Sequence, residues 1–222
     1  MSLFRTCTFT TTEKLKQIAE ERLPKDDPSH DLSHSLRVLG NTKRIVRSWP
    51  ADMEIMIPAA LFHDLVNLPK CSPQARESPR LSAEAARIIL EGIADYPQEK
   101  IAEVARCISE CSFTNGNKPT SDESAVLQDA DALESVGVIA IMRTFASSGK
   151  INRAFYQPQD PFCEIRKPNP KLFAVDLFFS RLFQVYERLN TQPARELAKQ
   201  REKYMHIFLR QLGEEIGQPY PG

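Results

Sequence analysis

Histidine is scarce in this chain, and three of its 4 histidines lie within the first 63 residues. His63 and Asp64 directly follow the apolar residues Ala-Ala-Leu-Phe at 59–62. Burying an ionisable pair in such surroundings costs several kcal/mol unless a partner compensates it, and a divalent cation would compensate both groups at once. The alternative is a hydrogen-bonded core histidine followed by an aspartate at a helix end.

A second polar group lies at residues 29–38, Ser-His-Asp-Leu-Ser-His-Ser-Leu-Arg-Val. On a helix, His30 and Asp31 precede His34 by one turn and Arg37 follows it by one turn. One helix face therefore presents a line of polar side chains. The alternative is a solvated face, because the first turn of a helix is often polar.

A third polar group is Gln-Asp-Ala-Asp at 128–131. The helical neighbours of Asp129 at three and four residues are all apolar, whereas those of Asp131 are mostly polar. Helix phase therefore predicts that Asp129 faces the core, where a carboxylate needs a cation or several donors. Asp131 is expected to face water or to support the site from behind. The alternative for Asp129 is a cap on a neighbouring helix or a pair with an arginine.

Two imidazoles and two carboxylates suit Mn, Fe, Co, Ni or Zn better than Ca. The sequences His-Asp-x-x-His-x-x-Arg-Val at 30–38, Ala-Ala-Leu-Phe-His-Asp at 59–64 and Gln-Asp-Ala-Asp-x-Leu-Glu at 128–134 resemble those of HD-domain metal-dependent phosphohydrolases. Within that family they are similar to the small bacterial hydrolases of the YedJ and YpgQ types. Segments 137–145 and 190–201 fit the same group, so the resemblance extends from about residue 15 to 215.

The resemblance implies a helical bundle that hydrolyses phosphate compounds and, for YpgQ-like members, cleaves nucleoside triphosphates to monophosphate and pyrophosphate. Two-metal members take extra histidines from the helices that follow His63, and this chain has none before His206. We therefore expect one divalent ion, with manganese preferred and cobalt, nickel, iron, magnesium or zinc as alternatives. Cys111 stands where many related sequences have histidine. The metal ligands that the resemblance implies are His34, His63, Asp64 and Asp129.

Attack of a metal-activated water on phosphorus is the expected reaction, and a polyphosphate substrate needs local cations. Basic residues follow the His-Asp pair in the segment 70–80, and Arg37 lies one turn beyond the first site histidine. Exposed loop charges are the alternative for each of them. The predicted catalytic residues are His63, Asp64, Arg37 and Lys70, and the predicted substrate-binding residues are His30, Lys70, Arg76 and Arg80.

Two other functions are compatible with the sequence. A non-catalytic nucleotide-binding sensor would use the same metal pocket, because binding and hydrolysis need the same residues. A helical interaction module without metal is the third reading. The sequence alone does not separate these three classes of protein.

The 222 residues contain 29 basic and 29 acidic side chains, so the net charge is zero. A neutral chain has no overall attraction for nucleic acid or for an anionic membrane, which favours a small-molecule phosphate as partner. No apolar run approaches the ~20 residues of a membrane span, and the start lacks a secretory signal. The 5 scattered cysteines do not suggest a disulfide framework, so we expect a cytoplasmic protein. A homodimer is left open.

Periodicity near 3.6 residues dominates the sequence and predicts an all-α fold. We expect one domain over residues 1–222, with a metal-binding core at about 30–145 and C-terminal helices at about 172–216 packing on it. Residues 149–171, with little pattern, are expected to form a long loop. The predicted helices run from a capping box at Thr10 to about Leu23, and over about 31–49, 52–65, 82–93, 97–111, 121–148 with a break near Gly137, 172–189 and 193–216.

Overall fold

The computed structural model describes residues 4–25, 30–68, 72–112 and 116–222, with only the backbone described for residues 4–10. Within these ranges the regular structure is helical, apart from one isolated bridge between Ala154 and Phe173. The predicted all-α fold is confirmed. The α-helices are α1 Phe4–Arg22, α2 Leu32–Ile45, α3 Met53–Phe62, α4 Ser78–Glu91, α5 Ile101–Glu110, α6 Asp122–Ala132, α7 Val138–Lys150, α8 Asp176–Ser180 and α9 Gln192–Ile216.

The chain divides into two compact units, residues 1–131 and 132–222. The first unit contains α1 to α5 and nearly all of α6, and the second contains α7 to α9. The predicted metal-binding core at 30–145 spans the boundary, and the single domain stays a prediction. Among the helices of the described ranges, none combines the length and apolar character needed to cross a membrane.

Helix α3 is the central element of the first unit. It contacts α1, α2, α4 and α5, and Met56, Leu61 and Phe62 are fully buried on it. A helix surrounded by other helices must be apolar on every side, which is why the sequence of α3 lacks a polar face. The same packing places the polar pair that follows α3 at the edge of the apolar core.

Side-chain caps fix where the helices that carry the site begin. Asp31 accepts a hydrogen bond from the backbone N–H of His34 at 2.8 Å, and Asp52 accepts one from Glu54 at 2.8 Å. Such N-caps satisfy backbone donors that have no partner within the helix, and each contributes roughly 1 kcal/mol. The cap on α2 therefore fixes His34 in the first turn of that helix.

The helix predictions hold at some positions and are wrong at others. The predicted break near Gly137 is confirmed, because this residue has φ +87° and separates α6 from α7. The predicted start at Thr10 is wrong, since α1 begins at Phe4. The long helix predicted over 172–189 is also wrong, because only α8 forms there, followed by short 3₁₀ turns.

Contacts made by Asp176, the first residue of α8, explain the failure over 172–189. Its carboxylate is fully buried and accepts hydrogen bonds from Arg166 Nη2 at 2.7 Å and from the backbone N–H of Asn169 at 2.6 Å. Arg181 then leaves the helical region, with φ −144°. A buried carboxylate must keep its partners, and these contacts with the preceding segment go with the start of α8 at Asp176.

Candidate metal centre

Two imidazole rings meet where α2 begins and α3 ends. His34 lies in the first turn of α2 and is 0% exposed, and His63 follows the last residue of α3 and is 4% exposed. Their Nε2 atoms are 3.1 Å apart. His63 Nδ1 lies 2.9 Å from the carbonyl oxygen of Ala60, which can only accept, so Nδ1 donates. In the neutral ring, His63 Nε2 therefore presents a lone pair toward His34.

Two carboxylates complete this group of donor atoms. Asp64 Oδ2 lies 3.4 Å from His34 Nε2 and 3.5 Å from His63 Nε2. Asp131 Oδ1, near the end of α6, lies 3.4 Å from His34 Nε2. The site is therefore built from the ends of three helices, with His34 Nε2 at its centre.

The spacing of these donors fits a single divalent cation. Nitrogen and oxygen ligands lie about 2.0–2.2 Å from a zinc ion, so neighbouring ligand atoms on one such ion are about 3–3.5 Å apart. The measured donor separations of 3.1 to 3.5 Å fall in this range. Mixed imidazole and carboxylate donors suit first-row transition ions. Among the described residues, two groups of three could hold a metal, and they share His34. One group is His30, His34 and Asp64, and the other is His34, His63 and Asp131.

The predicted ligand Asp129 is not a member of either donor group found in the described ranges, and Asp131 takes its place. Asp129 is buried, at 1% exposed, as helix phase predicted. The Asp131 side chain is 37% exposed, in keeping with its polar neighbours, and its carboxylate also reaches His34. Beside it on α6, Gln128 is 4% exposed and donates to the carbonyl oxygens of Glu110 and Asn117. Metal ligation by Asp129 stays a prediction.

Both carboxylates of the site are stabilised in the ionised form. Burial acts to raise the pKa of Asp64, but the attraction of His63 and hydrogen bonds from His30 and His34 outweigh it and hold that pKa well below its usual value. Burial likewise acts to raise the pKa of Asp131, and the hydrogen bond and charge of His34 lower it. Two ionised carboxylates beside two imidazoles give the centre the charge that a divalent cation neutralises.

Three of the four basic residues predicted to bind phosphate belong to the described part of the chain. Arg80 is 67% exposed, and its Nε donates to Glu77 at 2.8 Å, so an acid already neutralises part of its charge. Arg76 is exposed and Arg37 is half-buried. Lys70 lies outside the described residues. Phosphate binding by these four side chains stays a prediction.

His30 is the predicted substrate-binding residue that the structure places inside the site. Its Nδ1 lies 2.6 Å from Asp64 Oδ2. The only sequence signal for this contact was the four-residue spacing from His34, which places both rings on one helix face. Asp131 could have been found only by recognising that its buried polar neighbours line a site.

A helical fold with histidines and aspartates converging on one centre also characterises the proteins to which this chain is similar. The family model described as HD domain matches residues 31–136. The match includes His34, His63, Asp64 and Asp131. The chain is homologous to YpgQ and to HD-superfamily hydrolases over nearly its full length.

Relatives with known sequences or structures agree with this assignment. The chain is 28% identical to the protein YpgQ of Bacillus subtilis over 210 residues, which cover 92% of this chain and 93% of YpgQ. The crystal structure of YpgQ in complex with ADP superposes with a TM-score of 0.68 at 27% identity, covering 95% of this chain and 98% of that one. An HD-superfamily hydrolase from Bacillus thuringiensis superposes with a TM-score of 0.70 at 26% identity, covering 93% and 97%.

Proposed function

We propose that this protein is a metal-dependent phosphohydrolase that acts on nucleotides, cleaving nucleoside triphosphates to monophosphate and pyrophosphate or removing phosphate from a nucleotide. The observation that carries the proposal is the convergence of His34, His63, Asp64 and Asp131, whose donor atoms lie 3.1 to 3.5 Å apart. Such a set holds one divalent cation, with manganese as the first candidate.

A divalent cation held by His34, His63, Asp64 and Asp131 would supply Lewis acidity, which polarises a phosphoryl oxygen and lowers the pKa of a nearby water. The protein's own contribution is to hold the donors rigidly. The Ala60 carbonyl orients the His63 ring through Nδ1, and the Asp31 cap fixes the turn that carries His34. Ligands held in place by such contacts pay little reorganisation energy when the substrate arrives.

The nucleotide class of substrate is supported by the crystal structure of YpgQ in complex with ADP. A nucleotide brings several negative charges. The two site carboxylates already balance the two positive charges of a divalent ion. The chain must therefore supply further cations, and Arg37, Lys70, Arg76 and Arg80 are our candidates for neutralising the phosphates. Location in the cytoplasm and formation of a homodimer stay predictions.

The test is to measure phosphate and pyrophosphate release from a panel of nucleoside mono-, di- and triphosphates with Mn²⁺, Co²⁺, Ni²⁺ or Mg²⁺. We expect turnover by the wild-type protein, loss of at least about 100-fold in His63→Ala because a ligand is removed, and unchanged turnover in His206→Ala. His206 is the matched control, since it lies in the second unit beside Tyr220.

The same experiment separates hydrolysis from the alternative of a nucleotide-binding sensor. Nucleotide affinity is measured in parallel by calorimetry in the presence of the metal. Tight binding without any product would identify a sensor and would contradict hydrolysis. Absence of turnover and of stoichiometric metal in both wild type and His63→Ala would support a helical module without a metal centre.

A further inference from the structure

The His30 ring makes a direct contact with one of the two site carboxylates. His30 precedes the N-cap of α2, and its Nδ1 lies 2.6 Å from Asp64 Oδ2. A carboxylate that binds a cation is ionised and can only accept hydrogen bonds. His30 Nδ1 therefore carries the hydrogen and donates it to Oδ2.

The oxygen that His30 contacts is also the one that faces the two site imidazoles. Asp64 Oδ2 lies 3.4 Å from His34 Nε2 and 3.5 Å from His63 Nε2. A carboxylate oxygen has two lone pairs, so it can accept from His30 with one and bind a cation with the other. The hydrogen bond opposes rotation of the carboxylate away from the site.

The remainder of the ring is consistent with this single task. His30 packs edge to face against His34, with ring centroids 5.8 Å apart and an angle of 72° between the planes. Its Nε2 is buried and has no hydrogen-bond partner within the described ranges of the chain. Within the described ranges, the hydrogen bond of the His30 ring is therefore the one from Nδ1 to Asp64.

We propose that His30 is a positioning residue that holds Asp64 Oδ2 toward the donor cluster through Nδ1 and thereby raises the affinity of the centre for its divalent cation. The proposal rests on the metal centre of the proposed function. It replaces the substrate-binding role predicted for His30, because no contact between His30 and a phosphate is needed.

The test measures Mn²⁺ affinity of the full chain by titration calorimetry, without substrate, for wild type, His30→Ala, His30→Asn and His30→Gln. Partners that orient metal ligands typically contribute about 10–100-fold to affinity, so we expect His30→Ala to lose that much. The Asn amide nitrogen is attached to Cγ, as Nδ1 is, and His30→Asn should recover most of the affinity. The Gln amide nitrogen is one bond further out, near the position of Nε2, and His30→Gln should not. His206→Ala is the control with wild-type affinity.

Each outcome decides between the explanations. Wild-type affinity in His30→Ala would overturn the inference while leaving the metal centre intact. Recovery by His30→Gln but not by His30→Asn would overturn it as well, because it would make Nε2 a direct ligand. Failure of the wild-type protein to bind Mn²⁺ or another divalent ion would remove the proposed function and the inference together. If His30→Ala fails to fold, which thermal melting of the metal-free protein reveals, the comparison of Asn with Gln decides.

Discussion

Asp131 Oδ1 lies 3.4 Å from His34 Nε2, although 96 residues separate the two along the chain. This contact joins the last turn of α6 to the first turn of α2. Asp129 lies on the same helix, is buried at 1% exposure and is not a member of either donor group found among the described residues. The two aspartates should therefore respond differently to the same substitution.

Replacing Asp131 with Asn should lower Mn²⁺ affinity by more than about 100-fold, because a ligand contributes more than the partners that orient it. Asp129→Asn is the matched control and should leave Mn²⁺ affinity within a few-fold of wild type. Its effect should appear in the free energy of unfolding instead. Titration calorimetry measures the first quantity and urea denaturation the second. A larger loss of affinity in Asp129→Asn would restore the ligand that helix phase predicted.

Metal loading should stabilise the folded protein, because the donors come together only on folding. At a free Mn²⁺ concentration of 100 times Kd, the gain is about 2.7 kcal/mol. For a chain of this size, that corresponds to a rise in Tm of about 5–11 °C. Thermal melting with and without Mn²⁺ measures it.

The His63→Ala protein is the control for metal stabilisation. It should melt at the same temperature with and without Mn²⁺, since it lacks one of the two facing nitrogens. An equal rise in wild type and His63→Ala would mean that Mn²⁺ binds elsewhere on the chain.

The buried pair of Arg166 and Asp176 should make stability depend on pH. Burial acts to raise the pKa of Asp176, but hydrogen bonds from Arg166 and the Asn169 backbone outweigh it, so the pKa is lowered. A carboxylate with a lowered folded pKa stabilises the protein above its unfolded pKa, near 3.9, and that contribution is lost as the pH falls through the folded pKa. Urea denaturation between pH 7 and pH 3 should therefore show wild-type stability falling at the acid end.

Asp176→Asn should lower the free energy of unfolding at pH 7 by about 3 kcal/mol, because Arg166 loses its buried carboxylate partner and keeps only the longer ion pair with Asp160 at 3.8 Å. Its stability should also fall less steeply with acid than that of the wild type. Glu84→Gln removes only an exposed ion pair with Arg87 and should have little effect at pH 7. Identical acid dependence in wild type and Asp176→Asn would contradict the assignment.

Gly137 occupies a position that other residues cannot take without strain. Its φ is +87°, and a Cβ there would lie 2.9 Å from Arg201 Cβ. Gly137→Ala should therefore lower the free energy of unfolding by about 1–3 kcal/mol.

Gly40, inside α2 with nothing within 4 Å of its added Cβ, is the matched control. Gly40→Ala should stabilise by about 0.5–1 kcal/mol, since glycine weakens a helix. Denaturant unfolding of both variants checks the opposite signs.

The sequence predicted the parts of the site in which ionisable residues stand next to apolar residues that must be buried. His63 and Asp64 follow an apolar helix, and a pair of ionisable groups there needs a partner wherever the rest of the chain lies. His34 was predicted from spacing along its own helix. The structure brings all three together, at the ends of α2 and α3.

The parts that sequence missed depend on contacts between distant segments. Helix phase compares an aspartate only with its neighbours on the same helix, so it could not show that the polar side of α6 meets His34. The helix predicted over 172–189 failed for a similar reason, because Asp176 is bound by Arg166 from the preceding loop. Pairings of this kind are set by tertiary packing and leave no periodic signal.

The four donors, His34, His63, Asp64 and Asp131, all belong to residues 1–131, the first of the two compact units. Substitutions in residues 132–222 therefore leave every donor atom of the centre chemically unchanged. Whether a homologue keeps this set of donors is therefore read from the part of its sequence that aligns with residues 1–131.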